Sequence, residues 1–404
     1  MKTPWAIILC KFSDGDSEPF PMQYYKDLFT PADVGSKWNM VKFFNECAHG
    51  AIDVSGSQVF GWFKLNKTVA DYNSLGGSAR AALIGWARAA AVAAGHDLSP
   101  FYSTVACTNL WGDIGASGYG AVGQIKAPPA LGVVGQGLTP TPAILGQEMG
   151  HVYGLQHSRR DGTTMDYTDQ WDMMSGYNDY AALDGEFASI GPAYNAWNLR
   201  YMKWLDESRV WKGPDGAYDQ TITLRPITRR DLQGYLAVEM PGGLLFEFRE
   251  QAGWDGAIPR PAVLVHSFYQ GHSYLMTGNL GASDLIAGDS YGAPIPQGVP
   301  TLSGFQRVDV IAIDPAAPSA TLRIRYKPGS TATSVAAVDP ISLILSGAAY
   351  IAWAEGHNPH VPDIANLAAA LRSMPVEERS FAVARARVLA DTAKAVLEAA
   401  RTVG

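Results

Sequence analysis

The apolar run at residues 5–10, WAIILC, reads as the first strand of the fold. Apolar positions next recur at helical spacing near 36–47, followed by a strand-like stretch at 51–65. Residues 78–94 predict a helix: Ser78 is a candidate N-cap, the Ala-rich body carries Leu83 and Trp86, and Gly95 is a candidate stop. A strand is expected at 102–110, and the glycine-rich stretch 112–123 reads as a loop. A short apolar segment at 131–134 then precedes another helix. Thr141 is a plausible N-cap for it, Pro142 suits its first helical position, and Gly154 suits a left-handed end. This alternation predicts an α/β unit over residues 1–205.

Beyond Trp204 and Leu205 the pattern changes. Segments at 221–224, 234–240, 244–249, 263–268, 308–313 and 321–326 alternate or run apolar with turns between them. Residues 206–328 are therefore expected to be β-rich and sandwich-like. A linker rich in Gly, Ser, Thr and Ala is expected at 329–338. Residues 339–404 read as helical, over 341–355, 363–373 and 376–402. The last of these is amphipathic, with Phe381, Val383, Val388, Leu389 and Leu397 among charged residues.

Composition narrows the class. At 47% hydrophobic and 17% charged, the 404-residue chain can build several cores and is not a disordered chain. Its net charge of −7 argues against nucleic acid as a partner. Cys10, Cys47 and Cys107 lie far apart, which leaves open one disulfide plus a free thiol or three free thiols. The N-terminus carries no visible leader: the apolar run after Lys2 is too short and lacks a small-residue cleavage site. No membrane span is expected, because the longest candidate, residues 341–353, is interrupted by Ser and Gly and falls short of the about 20 residues needed. His266 and His272 read as structural histidines rather than a second metal site.

The chemistry concentrates at Gln147-Glu148-Met149-Gly150-His151-Val152-Tyr153-Gly154-Leu155-Gln156-His157, which reads Q-E-x-x-H-x-x-G-x-x-H. Positions 147 and 151 lie four apart, on one face of a helix, and can address one ion. Glu148 projects beside them, within reach of a water. The turn at Gly154 can return His157 to the same point. Asp172-Met173-Met174-Ser175-Gly176 follows after a short polar segment.

With His at position 147 this would be the zinc signature of the metzincin metallopeptidases. The chain resembles that superfamily, and within it the gametolysin and immune-inhibitor-A groups. The resemblance is also carried by segments 24–29, 43–56, 61–63, 166–172 and 253–259. It covers residues 5–205 well and 206–327 loosely. It implies an α/β (α+β) zincin-like catalytic domain with Gln147, His151 and His157 as ligands to Zn2+, or alternatively Cu2+, which has been associated with Gln-bearing algal members.

The resemblance also implies residue roles. Glu148 would be the general base and Met174, preceding a small residue, the apolar floor beneath the ion. Tyr177 would be a candidate to stabilise the oxyanion, and an edge strand at 131–134 would bind substrate. The expected activity is metal-dependent endopeptidase action on protein or glycoprotein substrates. The alternative is a weakly active or inactive metzincin-fold module that binds protein or glycan. Secretion is expected from the resemblance, with a cytoplasmic location as the alternative. Gln147 leaves two outcomes open, because a carboxamide is a poorer zinc donor than imidazole. Either the carboxamide or a water completes a weakened site, or the site is vestigial. Retention of a carboxylate at Glu148 favours the first.

Overall fold

The computed structural model describes residues 1–30, 38–109, 115–117, 120–122, 125–126, 138–139, 141–184, 187–278, 281–292 and 305–328. The expected edge strand at 131–134, the linker at 329–338 and the C-terminal helices at 339–404 lie outside the described residues. Residues 1–160, 164–294 and 306–326 make one compact unit, so the chain on both sides of residue 205 belongs to it. A second unit comprises 161–163, 295–305 and 327–404. The architecture is mixed α/β.

The first sheet has the order β2 (Gln58–Lys64), β1 (Trp5–Lys11), β3 (Ser103–Thr108), β5 (Gly120–Val122), β4 (Gly115–Ser117). The β1–β2, β1–β3 and β3–β5 pairs are parallel, and β4 runs antiparallel to β5 at the edge. Strand β1 is apolar without alternation because both of its faces are covered. Trp5, Ile7 and Leu9 enter one core, with Leu145, Met149, Met173 and Met174. Ala6, Ile8 and Cys10 enter the other, against Leu83, Ile84, Ala87 and Ala91 of helix α4 (Ala79–Ala93).

Helices α2 (Met40–Cys47) and α5 (Pro142–Tyr153) stand close to the expected positions, and the structure adds α1 (Met22–Phe29) and a short α3 (Val69–Ser74). Two local expectations are corrected. The stretch read as a glycine-rich loop contains β4 and β5, because pairing of β5 with β3 and of β4 with β5 satisfies the backbone even where side chains are small. Ser78 does not cap α4: it ends a 3-10 turn (Gly76–Ser78) in helical conformation and makes no capping hydrogen bond. Gly95 does stop the helix, at φ 91°. The three cysteines are buried and free. Among the described residues no helix is long and apolar enough to cross a membrane.

The β-rich part forms two sheets. One has six strands in the order β11 (Val210–Lys212), β13 (Ala237–Met240), β14 (Leu244–Arg249), β15 (Ala262–Tyr269), β16 (His272–Leu275), β8 (Arg159–Arg160). The other has four: β12 (Tyr218–Leu224), β19 (Ser319–Lys327), β18 (Phe305–Asp314) and β17 (Ser290–Gly292). Strand β8 follows directly on His157, so the six-stranded sheet reaches into the segment that carries the candidate ligands.

A fully buried ion triad ties the same sheet to the segment before α6 (Ala196–Tyr201). Arg249 Nη1 lies 3.1 Å from Glu247, and Arg249 Nε donates to Asp255 at 2.8 Å. Both carboxylates also accept backbone N–H groups: Asp255 from Ala193 at 2.9 Å, and Glu247 from Ala196. Arg249→Leu would leave two buried carboxylates facing each other, and removing one partner of a buried pair costs about 3–5 kcal/mol. Chemical denaturation should show a loss of that order. An unchanged unfolding midpoint would mean that the triad does not hold this segment.

Candidate metal centre

Helix α5 is built to be enclosed. Thr141 caps it, its Oγ1 accepting from Ile144 N at 3.4 Å; Pro142 occupies the first turn, and Gly154 ends it at φ 118°. Every residue from Pro142 to Gly150 is buried. Its glycines let the turn Met173–Asn178 approach closely. A Cβ at Gly146 would lie 2.8 Å from Met173 Sδ, and one at Gly150 2.8 Å from Met174 Sδ. Both methionines are fully buried, and Ser158 N donates to Met174 O at 3.1 Å, so Met174 is tied to the residue after His157.

The chain reversal at Gly154 brings His151 and His157 together, with ring centroids 4.6 Å apart and an interplanar angle of 78°. His151 Nδ1 pairs with Leu155 O at 2.8 Å, and His157 Nδ1 with Asp166 Oδ2 at 2.9 Å. Each Nδ1 faces an acceptor and is therefore the donor, and in a neutral imidazole this leaves Nε2 with a lone pair, the arrangement of metal-ligating imidazoles. Burial pushes His151 down to about 4, so it is neutral over the whole neutral pH range. Asp166 is steadied in turn by Arg159, whose Nε donates to its Oδ1 at 2.8 Å. Burial alone would raise the Asp166 carboxyl, but hydrogen bonds from His157 and Arg159 outweigh it and hold it below its ordinary value.

Gln147 Nε2 stands 3.4 Å from His151 Nε2, so the carboxamide occupies the position beside the two imidazoles. Its Oε1 faces Gly176, whose φ of 54° and ψ of −123° fall where glycine alone is comfortable, and a Cβ there would overlap that oxygen. Glu148 is buried on the same helix, 5% exposed. Two imidazole lone pairs and an adjacent carboxylate are donors that fit a divalent ion, and the carboxamide beside them turns its nitrogen to His151 and its oxygen to Gly176. Among the described residues no three His, Cys, Asp or Glu side chains are grouped as a metal-binding set, the third position being the carboxamide.

The Tyr177 backbone lies within the turn Met173–Asn178, and its side chain lies outside the described residues. The phenol described at the site is Tyr167, which the sequence reading passed over. Its ring centroid is 4.1 Å from that of His157. Burial, and then the charge of Glu148, raise its pKa, while a hydrogen bond with Gln147 opposes them. Arg80, near the start of α4, acts on both His151 and Tyr167 through its charge. Asp166, Tyr167, Gly176 and Arg80 carry no spacing signal that separates them from loop or helix-surface residues. Asp166, Tyr167 and Gly176 fall in stretches singled out for another reason, and Arg80 lies in the predicted helix 78–94.

Below the turn lies a buried polar network. Asp172 accepts from Met174 N at 2.7 Å and from Ser158 Oγ at 2.9 Å, and Asn198 Nδ2 lies 3.1 Å away. Burial, then repulsion from Asp169, push the Asp172 carboxyl up to about 6. Asp169 pairs with the buried His266 at 3.1 Å, and His272 Nδ1 pairs with His157 O at 2.7 Å. Both β-rich histidines therefore hold the segment between His157 and the turn.

No family model, curated protein or solved structure matches this chain.

Gly176→Ala should strain the turn and displace Gln147. The backbone conformation alone costs on the order of 1–3 kcal/mol in a residue with a Cβ. A denaturant melt that superposes on the wild type would show that the turn relaxes freely and does not constrain the carboxamide.

Proposed function

We propose that the chain is a metal-dependent endopeptidase of metzincin-like fold, with His151, His157 and Gln147 around a divalent ion and Glu148 as general base. The observation that carries this reading is the pair of imidazoles whose Nδ1 atoms are both engaged, leaving two Nε2 lone pairs beside Gln147 and Glu148. The parallel sheet with an antiparallel edge strand, and the methionine turn packed beneath α5, support the fold assignment. Zinc is the first choice of ion, with copper as the alternative that the resemblance to Gln-bearing algal members suggests.

When bound, such an ion supplies Lewis acidity that polarises a scissile carbonyl and acidifies the attacking water. The remaining steps belong to the protein. Glu148 takes a proton from the water as its oxygen bonds to the carbonyl carbon. When the C–N bond breaks, Glu148 returns that proton to the amine nitrogen. His151 is already neutral, so no proton has to leave it before it can ligate. Asp166 and the Leu155 carbonyl fix the two ring orientations, which otherwise would cost side-chain entropy on binding. The rival reading, a module that binds protein or glycan without cutting it, rests on the weaker donor at Gln147.

Two measurements test the proposal. Glu148→Ala should leave zinc or copper uptake intact by elemental analysis and reduce peptide hydrolysis roughly 10²–10⁴-fold, while His151→Ala should abolish uptake. Wild-type protein that takes up neither metal would sink the reading. Gln147→His should raise zinc affinity in a competition titration against a chelator, because imidazole is the better zinc donor. Equal affinity would place Gln147 outside the coordination shell.

A further inference from the structure

Tyr167 is constrained from several directions. Its φ is 64°, an uncommon conformation for a bulky residue, and Asn178 Nδ2 donates to its carbonyl at 2.6 Å. The next residue staples the turn: Thr168 Oγ1 donates to Met165 O at 3.0 Å and accepts from Arg160 N at 2.8 Å. The ring lies against that of His157, and the hydroxyl meets the Gln147 carboxamide within the field of Glu148. Yet the residue is 37% exposed, so one side of it stays open to an arriving ligand. A strained backbone, held on both sides, thus aims one phenol at the candidate ligands.

A phenol oxygen can accept one hydrogen bond and still donate its own. With the Gln147 amide donating to Tyr167 Oη, the O–H is left for a partner in the open part of the site. We propose that Tyr167 takes the role the resemblance assigned to Tyr177: its hydroxyl, held by the Gln147 carboxamide over the His157 ring, donates to the scissile carbonyl oxygen as that oxygen gains negative charge. The inference rests on the peptidase reading and adds a reason for Gln147. An N–H of the carboxamide can address Tyr167, whereas an imidazole that ligates through one nitrogen keeps only the other as a donor, fixed by the ring.

The test uses the full chain loaded with Zn2+ and two peptides, one with a phosphinic group replacing the scissile amide and one an uncleaved product. Tyr167→Phe keeps the ring and removes the hydroxyl. Expected are a roughly 10²-fold loss of phosphinic-peptide affinity, in line with removal of one oxyanion donor, unchanged product-peptide affinity, and unchanged zinc affinity by chelator competition. In a Gln147→His background the same substitution should cost much less, because the hold on the phenol is already gone. Equal phosphinic-peptide binding by wild type and Tyr167→Phe overturns this inference and leaves the peptidase reading standing. A parallel loss of product-peptide affinity and thermal stability also overturns it, by assigning Tyr167 a packing role. Wild type that takes up no zinc and binds no phosphinic peptide overturns both.

Discussion

The close approach of one helix to one turn is the constraint on which the site depends. Helix α5 and the turn Met173–Asn178 meet through Gly146, Gly150 and Gly176, each at a position where a Cβ would crowd its neighbour. Two methionine side chains fill the space the helix glycines vacate, and the Gln147 carboxamide fills the space at Gly176. Methionine suits this contact because its flexible thioether packs into irregular gaps. Since interiors are packed to crystal-like density, the helix cannot slide along the turn without opening a void. The candidate ligands thus inherit their positions from contacts that contain no ligand.

That contact is itself supported from the β-rich part of the chain. Asp172, which caps the turn, is reached by Ser158 and Asn198, and Ser158 and Asn195 both bond Ser273 on β16. The Arg249 triad grips Ala193 and Ala196, and Ala193 O receives Met173 N at 3.3 Å. Between these anchors Tyr194 sends its hydroxyl to Gly146 O at 2.7 Å, beneath the helix. Buried polar groups are costly unless satisfied. Here they form a connected floor in which backbone and side-chain partners are shared, so the β-rich sheet acts as the foundation of the helix–turn contact.

What the chain announces about itself follows the range of each interaction. Helix α5 was legible from Thr141, Pro142 and Gly154 because capping is local. The pairing of His151 with His157 was legible because one helix turn and one left-handed glycine fix it. Six strands of the β-rich part were likewise legible from apolar runs and alternation, with β14 (Leu244–Arg249) matching its expected bounds, whereas the short β11, β16 and β17 were not. Strands β4 and β5 were not, because their glycines carry no side-chain signal and their pairing, β5 with β3 and β4 with β5, is made by the backbone. Asp166, Tyr167 and Gly176 were not legible as site residues for a different reason: each matters only through a partner that folding brings near, namely His157, Gln147 and Gln147 again.

The carboxamide at position 147 is where these strands of reasoning meet. A third imidazole would bind zinc more tightly, so glutamine gives up affinity. It also gives the site a group that packs flat against Gly176, faces His151 Nε2 and bonds a phenol beside Glu148. An imidazole committed to an ion through one nitrogen has a single donor left, in a direction set by the ring. The departure from the three-histidine pattern therefore has consequences beyond the ion itself. In the proposed site it links α5 to the segment after His157 through the hydroxyl of Tyr167, whose backbone is strained.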